Sequence, residues 1–173
     1  MTRRMFEAAV KRFLNPGMKS LDEIMEGTDP FGEICSRILS VENSNVTPEE
    51  RHFANVATFV GDVLNGGIGQ ALWNSSGDCF AEVEEFVDTH LGWDSSEAFV
   101  NLRNSFPGKL IPKQRELREG VLDEVADDVS EALEVFDSRF LKMERKIQSA
   151  LVDYAKSHRE SFSNLSKVGR RNV

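Results

Sequence analysis

The chain has 173 residues, of which 40% are hydrophobic and 29% charged, and a net charge of −8. That is enough apolar material for one domain that folds unaided, and it excludes both a disordered chain and a disulfide-stapled miniprotein. The charge is unevenly spread: residues 1–20 hold five Lys/Arg and one acid, residues 21–137 hold seven and 25, and residues 138–173 hold nine and three. An acidic middle of this kind repels nucleic acid and favours a basic protein surface as partner.

The spacing predicts a first helix over 2–14, with Met5, Phe6, Ala9, Val10 and Phe13 on one face and Arg3, Arg4, Lys11 and Arg12 facing out. Its apolar run is too short and too broken by charge for a signal peptide or a membrane span. A short helix over 21–25 and another over 30–41 follow, the second packing Phe31, Ile34, Ile38 and Leu39. Thr47-Pro48-Glu49-Glu50 has the form of a capping box with Pro at the first helical position, and it opens a helix to about Asn65. Phe53, Val56, Ala57, Val60, Val63 and Leu64 form its apolar stripe, and Gly66-Gly67 gives a left-handed exit before a short helical turn through Gln70, Leu72 and Trp73.

After the punctuation Asn74-Ser75-Ser76-Gly77-Asp78, a helix over 78–91 buries Phe80, Val83, Phe86, Val87 and Leu91 and stops at Gly92. Asp94 and Glu97 have capping-box spacing at the start of a helix to Ser105, halted by Phe106-Pro107-Gly108. From Val121 to Tyr154 neither Gly nor Pro occurs, and apolar residues recur in steps of three and four, which describes one long helix with a coiled-coil-like seam. The first half carries Asp123, Glu124, Asp127, Asp128, Glu131, Glu134 and Asp137; the second carries Arg139, Lys142, Arg145, Lys146 and Lys156, a polarity that complements the helix macrodipole. The expected fold is an all-α, single-domain helical bundle over 1–160 with this long C-terminal helix, and a basic tail over 161–173 without an apolar face.

Catalytic chemistry finds little support. Glu49-x-x-His52 has di-iron-bundle spacing, but neither His90 nor His158 follows a Glu at the same interval, so His52 reads as a boundary residue and no metal is expected. Cys35 and Cys79 lack CxxC spacing and suit a reducing cytoplasm. Ser75 and Ser76 read as capping residues, and Gly66-Gly67-Ile68-Gly69 follows a helix rather than a strand, as a phosphate loop would not. Trp73 and Trp93 read as lids on the core at helix ends. The expectation is a protein without enzymatic activity or cofactor.

The acidic rows carry the functional reading. Asp78, Glu82, Glu85 and Asp88 form the outer face of one helix. The seven acids from Asp123 to Asp137 lie along about 21 Å at ~1.5 Å per residue. That linear density is close to the one phosphate per ~3.4 Å of a DNA strand.

Leu64-Asn65-Gly66-Gly67-Ile68-Gly69-Gln70-Ala71-Leu72-Trp73-Asn74-Ser75-Ser76-Gly77-Asp78, within Glu49 to Gly92, resembles a bacterial family of small helical domains whose best-understood type is an acidic DNA-mimic protein. The signature is the Asn-Gly-Gly, the Gln three positions on, and the Asn-Ser-Ser-Gly-Asp ending; Ile68 and Leu72-Trp73 stand where the family type has Phe or Tyr. The resemblance implies an all-helical fold, dimerisation, no enzymatic activity, and a type member that occupies the DNA-binding face of a helix-turn-helix repressor. At Asn65, Gly66, Gly67, Gln70, Asn74 and Asp78 it implies structural roles, with turn-forming glycines and side-chain amides that cap neighbouring helices. The partner expected for the acidic rows is a basic protein surface, such as a transcription regulator's DNA-binding domain, with no direct nucleic acid and no membrane. The rival is self-association, in which the long helix pairs antiparallel with its copy, acidic half against basic half.

Overall fold

A computed structural model describes residues 19–40 and 45–167. The predicted helix over 2–14 and residues 168–173 lie outside the described residues. All regular structure among the described residues is helical: α1 (Leu21–Met25), α2 (Pro30–Ser40), α3 (Pro48–Trp73), α4 (Phe80–Leu91), α5 (Trp93–Ser105) and α6 (Arg115–Ser157), with short 3-10 turns at Ser75–Cys79, Pro107–Lys109 and Ser163–Lys167. None of these helices is long and apolar enough to cross a membrane.

Local chemistry explains most of the boundaries. The Thr47 capping box forms as its sequence predicts, with the Thr47 amide donating to Glu50 Oε2 at 2.9 Å and the Glu50 amide donating to Thr47 Oγ1 at 3.1 Å. Gly92 ends α4 at φ +82°, and Pro107 follows the end of α5. The capping box expected at Asp94 does not form. Instead α5 begins one residue earlier, at Trp93, directly after Gly92, whose carbonyl accepts from the Ser95 and Ser96 amides at 3.0 and 3.3 Å.

The packing falls into two compact units, one within Met1–Ala54 and Val152–Val173 and the other Asn55–Leu151. In the first, Ile24, Ile34, Phe53, Ala155, Phe162 and Leu165 are buried, and Phe53 and Tyr154 both meet the Phe162 ring edge-on. Arg37 is buried there as well, donating to the Leu165 carbonyl at 2.6 Å and pairing with Glu33. The expectation of a tail from 161 onward is therefore corrected for residues 161–167. Two apolar residues three apart are too few to register as a face, yet Phe162 and Leu165 close this core. Leu39, expected inside, is 80% exposed.

The core of the second unit is aromatic. Phe99 meets Phe136 edge-on at 4.9 Å, Phe136 stacks on Phe140 at 5.6 Å, and Phe59 and Phe80 complete the cluster. Edge-to-face pairs of this kind add to the burial of their large apolar surfaces. Leu122, Val129, Phe136, Phe140, Met143, Ile147 and Leu151 of α6 are buried, so the three-and-four seam read from the sequence is the face that packs.

Candidate partner-binding face and the motif beneath it

At ~100° per residue, Asp123, Glu124, Asp127, Asp128, Glu131 and Glu134 fall within an arc of about 140° on α6, opposite the buried seam. All six are exposed, and none forms an ion pair among the described residues. Asp123, Asp127 and Glu131 follow one another at i,i+4, as do Glu124 and Asp128, and Glu124–Asp127, Asp128–Glu131 and Glu131–Glu134 stand at i,i+3, so the row is made of like-charge neighbours. Each i,i+4 pair costs about 0.2–0.5 kcal/mol. The macrodipole does not offset this, because α6 begins at Arg115 and the row starts beyond the first turn, where the dipole's effect has faded. The dipole explanation of the charge polarity is corrected for the acids, while Lys156 does lie in the last turn of α6.

Asp137 leaves the row. Its Oδ1 accepts from the Ile68 amide at 2.7 Å and so caps the helical segment that restarts after Gly67. Burial pushes its carboxyl above the usual range, against the opposing hydrogen bond from Ile68. The expected left-handed exit is also refined: Gly66 lies at φ −155°, ψ 23°, and Gly67 at φ +77°, ψ 177°, a region open essentially to glycine alone. A Cβ on Gly67 would lie 2.5 Å from Asp137 Oδ2, and one on Gly66 would collide with the Gln70 side chain.

The second half of the motif wraps one side chain. Arg118, with 0% exposure, donates from Nε to the Leu72 carbonyl at 2.5 Å. Its Nη1 donates to the carbonyls of Pro112 (2.9 Å) and Lys113 (2.7 Å), and its Nη2 to the Asn74 carbonyl (2.9 Å) and Asp78 Oδ1 (2.8 Å). All five guanidinium donors are thus placed. Gly77 is small because the guanidinium lies against it, and a Cβ there would be 2.7 Å from Arg118 Nε and 2.8 Å from the Ala71 carbonyl oxygen. Ser76, 4% exposed, donates to Asp62 Oδ2 at 2.6 Å. The expected amide caps do not form among the described residues: Asn74 makes no side-chain cap and acts through its carbonyl, and no side-chain hydrogen bond holds Asn65. Arg118 was missed by sequence reasoning, although one signal was available. It lies one four-residue step before Leu122, so it extends the α6 seam, where a charged residue is out of place.

The row expected along a helix from 78 to 91 is only partly free, and Asp78 lies in the 3-10 turn before α4. Asp78 binds Arg118, Glu82 accepts from Asn55 Nδ2 at 2.9 Å, Asp88 accepts from Ser96 Oγ at 2.7 Å, and Glu85 is exposed. The structure therefore gathers the α6 acids into one face and spends much of the row from Asp78 to Asp88 on internal contacts.

The family model of DMP19-like protein matches residues 44–158, a span that includes the glycine kink, the Arg118 cradle and the whole acidic face of α6. The chain belongs to the DMP19-like protein family. No curated protein and no solved structure matches it. In this DMP19-like chain the remaining chemical candidates have the following surroundings. His52 lies against the Tyr154 ring at 5.2 Å, and no group of three His, Cys, Asp or Glu side chains among the described residues could hold a metal. Burial, with Asp29 nearby, pushes the Cys35 thiol up to about 11, and burial also raises Cys79. A nucleophilic cysteine needs the opposite shift.

Proposed function

We propose that this DMP19-like chain is a non-enzymatic binding protein that presents the carboxylates of α6 to a basic protein surface, in the manner of a DNA mimic acting on the DNA-binding domain of a transcription regulator. The observation that carries the reading is the face from Asp123 to Glu134: six exposed carboxylates opposite the buried seam, unpaired among the described residues and self-repelling along the helix. Neither packing nor the helix dipole calls for that arrangement, and a basic surface that normally holds phosphates would relieve it. The test is affinity capture from the native cell with the chain as bait, beside a D127K/D128K/E131K variant. The proposal expects one specific basic protein to be held by the wild type, released by high salt and absent from the variant. A partner held equally by both, at low and high salt alike, would sink it.

Self-association is a second reading with an observation of its own. Lys142, Arg145 and Lys146 fall on the same solvent arc of α6 as the acids, so two antiparallel copies would oppose unlike charges. Sedimentation of the purified chain separates the two readings, since a monomer removes this one.

A further inference from the structure

Trp93 is 60% exposed, which corrects its reading as a core lid. Its position is nonetheless built. Gly92 turns the chain from α4 into α5 at φ +82°, ψ 172°, and Ser96, 1% exposed on α5, donates to Asp88 Oδ1 on α4 at 2.7 Å. The elbow is thereby fixed while the indole has neither a hydrogen bond nor a ring contact among the described residues. Trp93 lines a groove of about 380 Å³ between α4 and α5, together with Ala81, Val100, Glu85, Asp88 and the Glu84–Arg103 pair. Glu84 in the same groove is neutralised by Arg103 at 3.0 Å, whereas no ion pair reaches Glu85 or Asp88 among the described residues.

We infer that this groove takes an arginine side chain of the basic partner, its guanidinium stacked on the Trp93 indole and its N–H donors directed to Glu85 and Asp88. The chemistry is specific to that group. A planar, weakly hydrated cation gains from an aromatic face and from carboxylates held beside it, and an exposed Trp in a groove is what interface anchors are made of. The inference rests on the proposed reading that the partner is a basic protein, and it adds what a row of carboxylates lacks. Charge density alone attracts any cationic surface, whereas an aromatic groove with an acidic rim selects one side chain and its position.

The test uses the Trp73→Phe chain, in which Trp93 is the one remaining indole of the two tryptophans. The ¹⁵N-labelled protein is titrated with a six-arginine peptide and, separately, with a six-citrulline peptide. The expected result is a saturable shift of the Trp93 indole N–H with arginine alone, weakened about tenfold by E85Q/D88N. The shift is expected to persist in D127K/D128K/E131K, so failure of this groove and failure of the α6 face are told apart. If the double variant unfolds, Glu85→Gln alone, at an exposed position, keeps the comparison. An indole that does not move, moves equally with citrulline, or is unaffected by E85Q/D88N overturns the inference. So does an indole that shifts with protein concentration alone, which would assign the groove to a second copy of the chain.

Discussion

Arg118 places five donors on five oxygens inside the second unit, and four of those oxygens are main-chain carbonyls. Its removal would leave the buried Leu72 carbonyl and three part-buried carbonyls without their donor, and Asp78 without its cation. Arg118→Ala is therefore expected to cost about 3–5 kcal/mol in chemical denaturation, with Arg118→Lys recovering little because a point ammonium cannot reproduce the fork. A loss below 1 kcal/mol, the range of exposed pairs, would contradict the cradle. Glu50 is the opposite case, 1% exposed with Oε1 unpartnered among the described residues and its carboxyl pushed up by burial. A carboxyl whose folded pKa is raised contributes its full stability below the unfolded value, near 4.3, and loses it as pH rises through the folded value. Glu50→Gln keeps an acceptor for the Thr47 amide and removes the charge. It should therefore be more stable than wild type at neutral pH, by an amount that vanishes near pH 4; a difference independent of pH would assign the effect to something other than ionisation.

Among the elements, α3 and α6 meet at the glycine kink, where the Gly67 conformation and the Asp137 cap depend on each other. Gly67→Ala adds a Cβ both at positive φ and within 2.5 Å of a carboxylate oxygen, and about 1–3 kcal/mol of destabilisation is expected in thermal or urea unfolding. A neutral substitution would show that the kink relaxes. What was legible in the sequence follows from how local each signal is. The Thr47 capping box, the Gly92 stop and the α6 seam depend on residues within a few positions of one another, and each appears where its pattern predicts. Arg118 and Asp137 reach partners 40 to 69 positions away, so composition offered only a charge on a helix. That is also why the motif could be recognised while its cause could not: Gly77 and the carbonyls of Leu72 and Asn74 are shaped around Arg118, and Gly67 around Asp137, both outside it. Trp93 was misread for the same reason, since a tryptophan at a helix end looks alike whether the elbow turns it inward or out.

At the scale of the molecule, the family match and the all-helical fold agree with the resemblance carried by Asn65 to Asp78, while the acidic face of α6 lies outside that motif. Scaffold and surface are thus separable: Asp137 alone of the row is tied to the motif, and replacement of the exposed acids from Asp123 to Glu134 is expected to leave the second unit folded. Steering by such a face is long-ranged at low salt and falls away when the screening length drops from about 10 Å at 0.1 M to 3 Å at 1 M. The most direct measurement is competition for the captured partner, bound to a fluorescein-labelled duplex that it recognises and titrated with this chain while anisotropy is followed. The account predicts that the wild type releases the duplex at stoichiometric concentration and that D127K/D128K/E131K, with unchanged circular dichroism, does not. A ternary complex that retains the duplex, or release by both proteins alike, would contradict it.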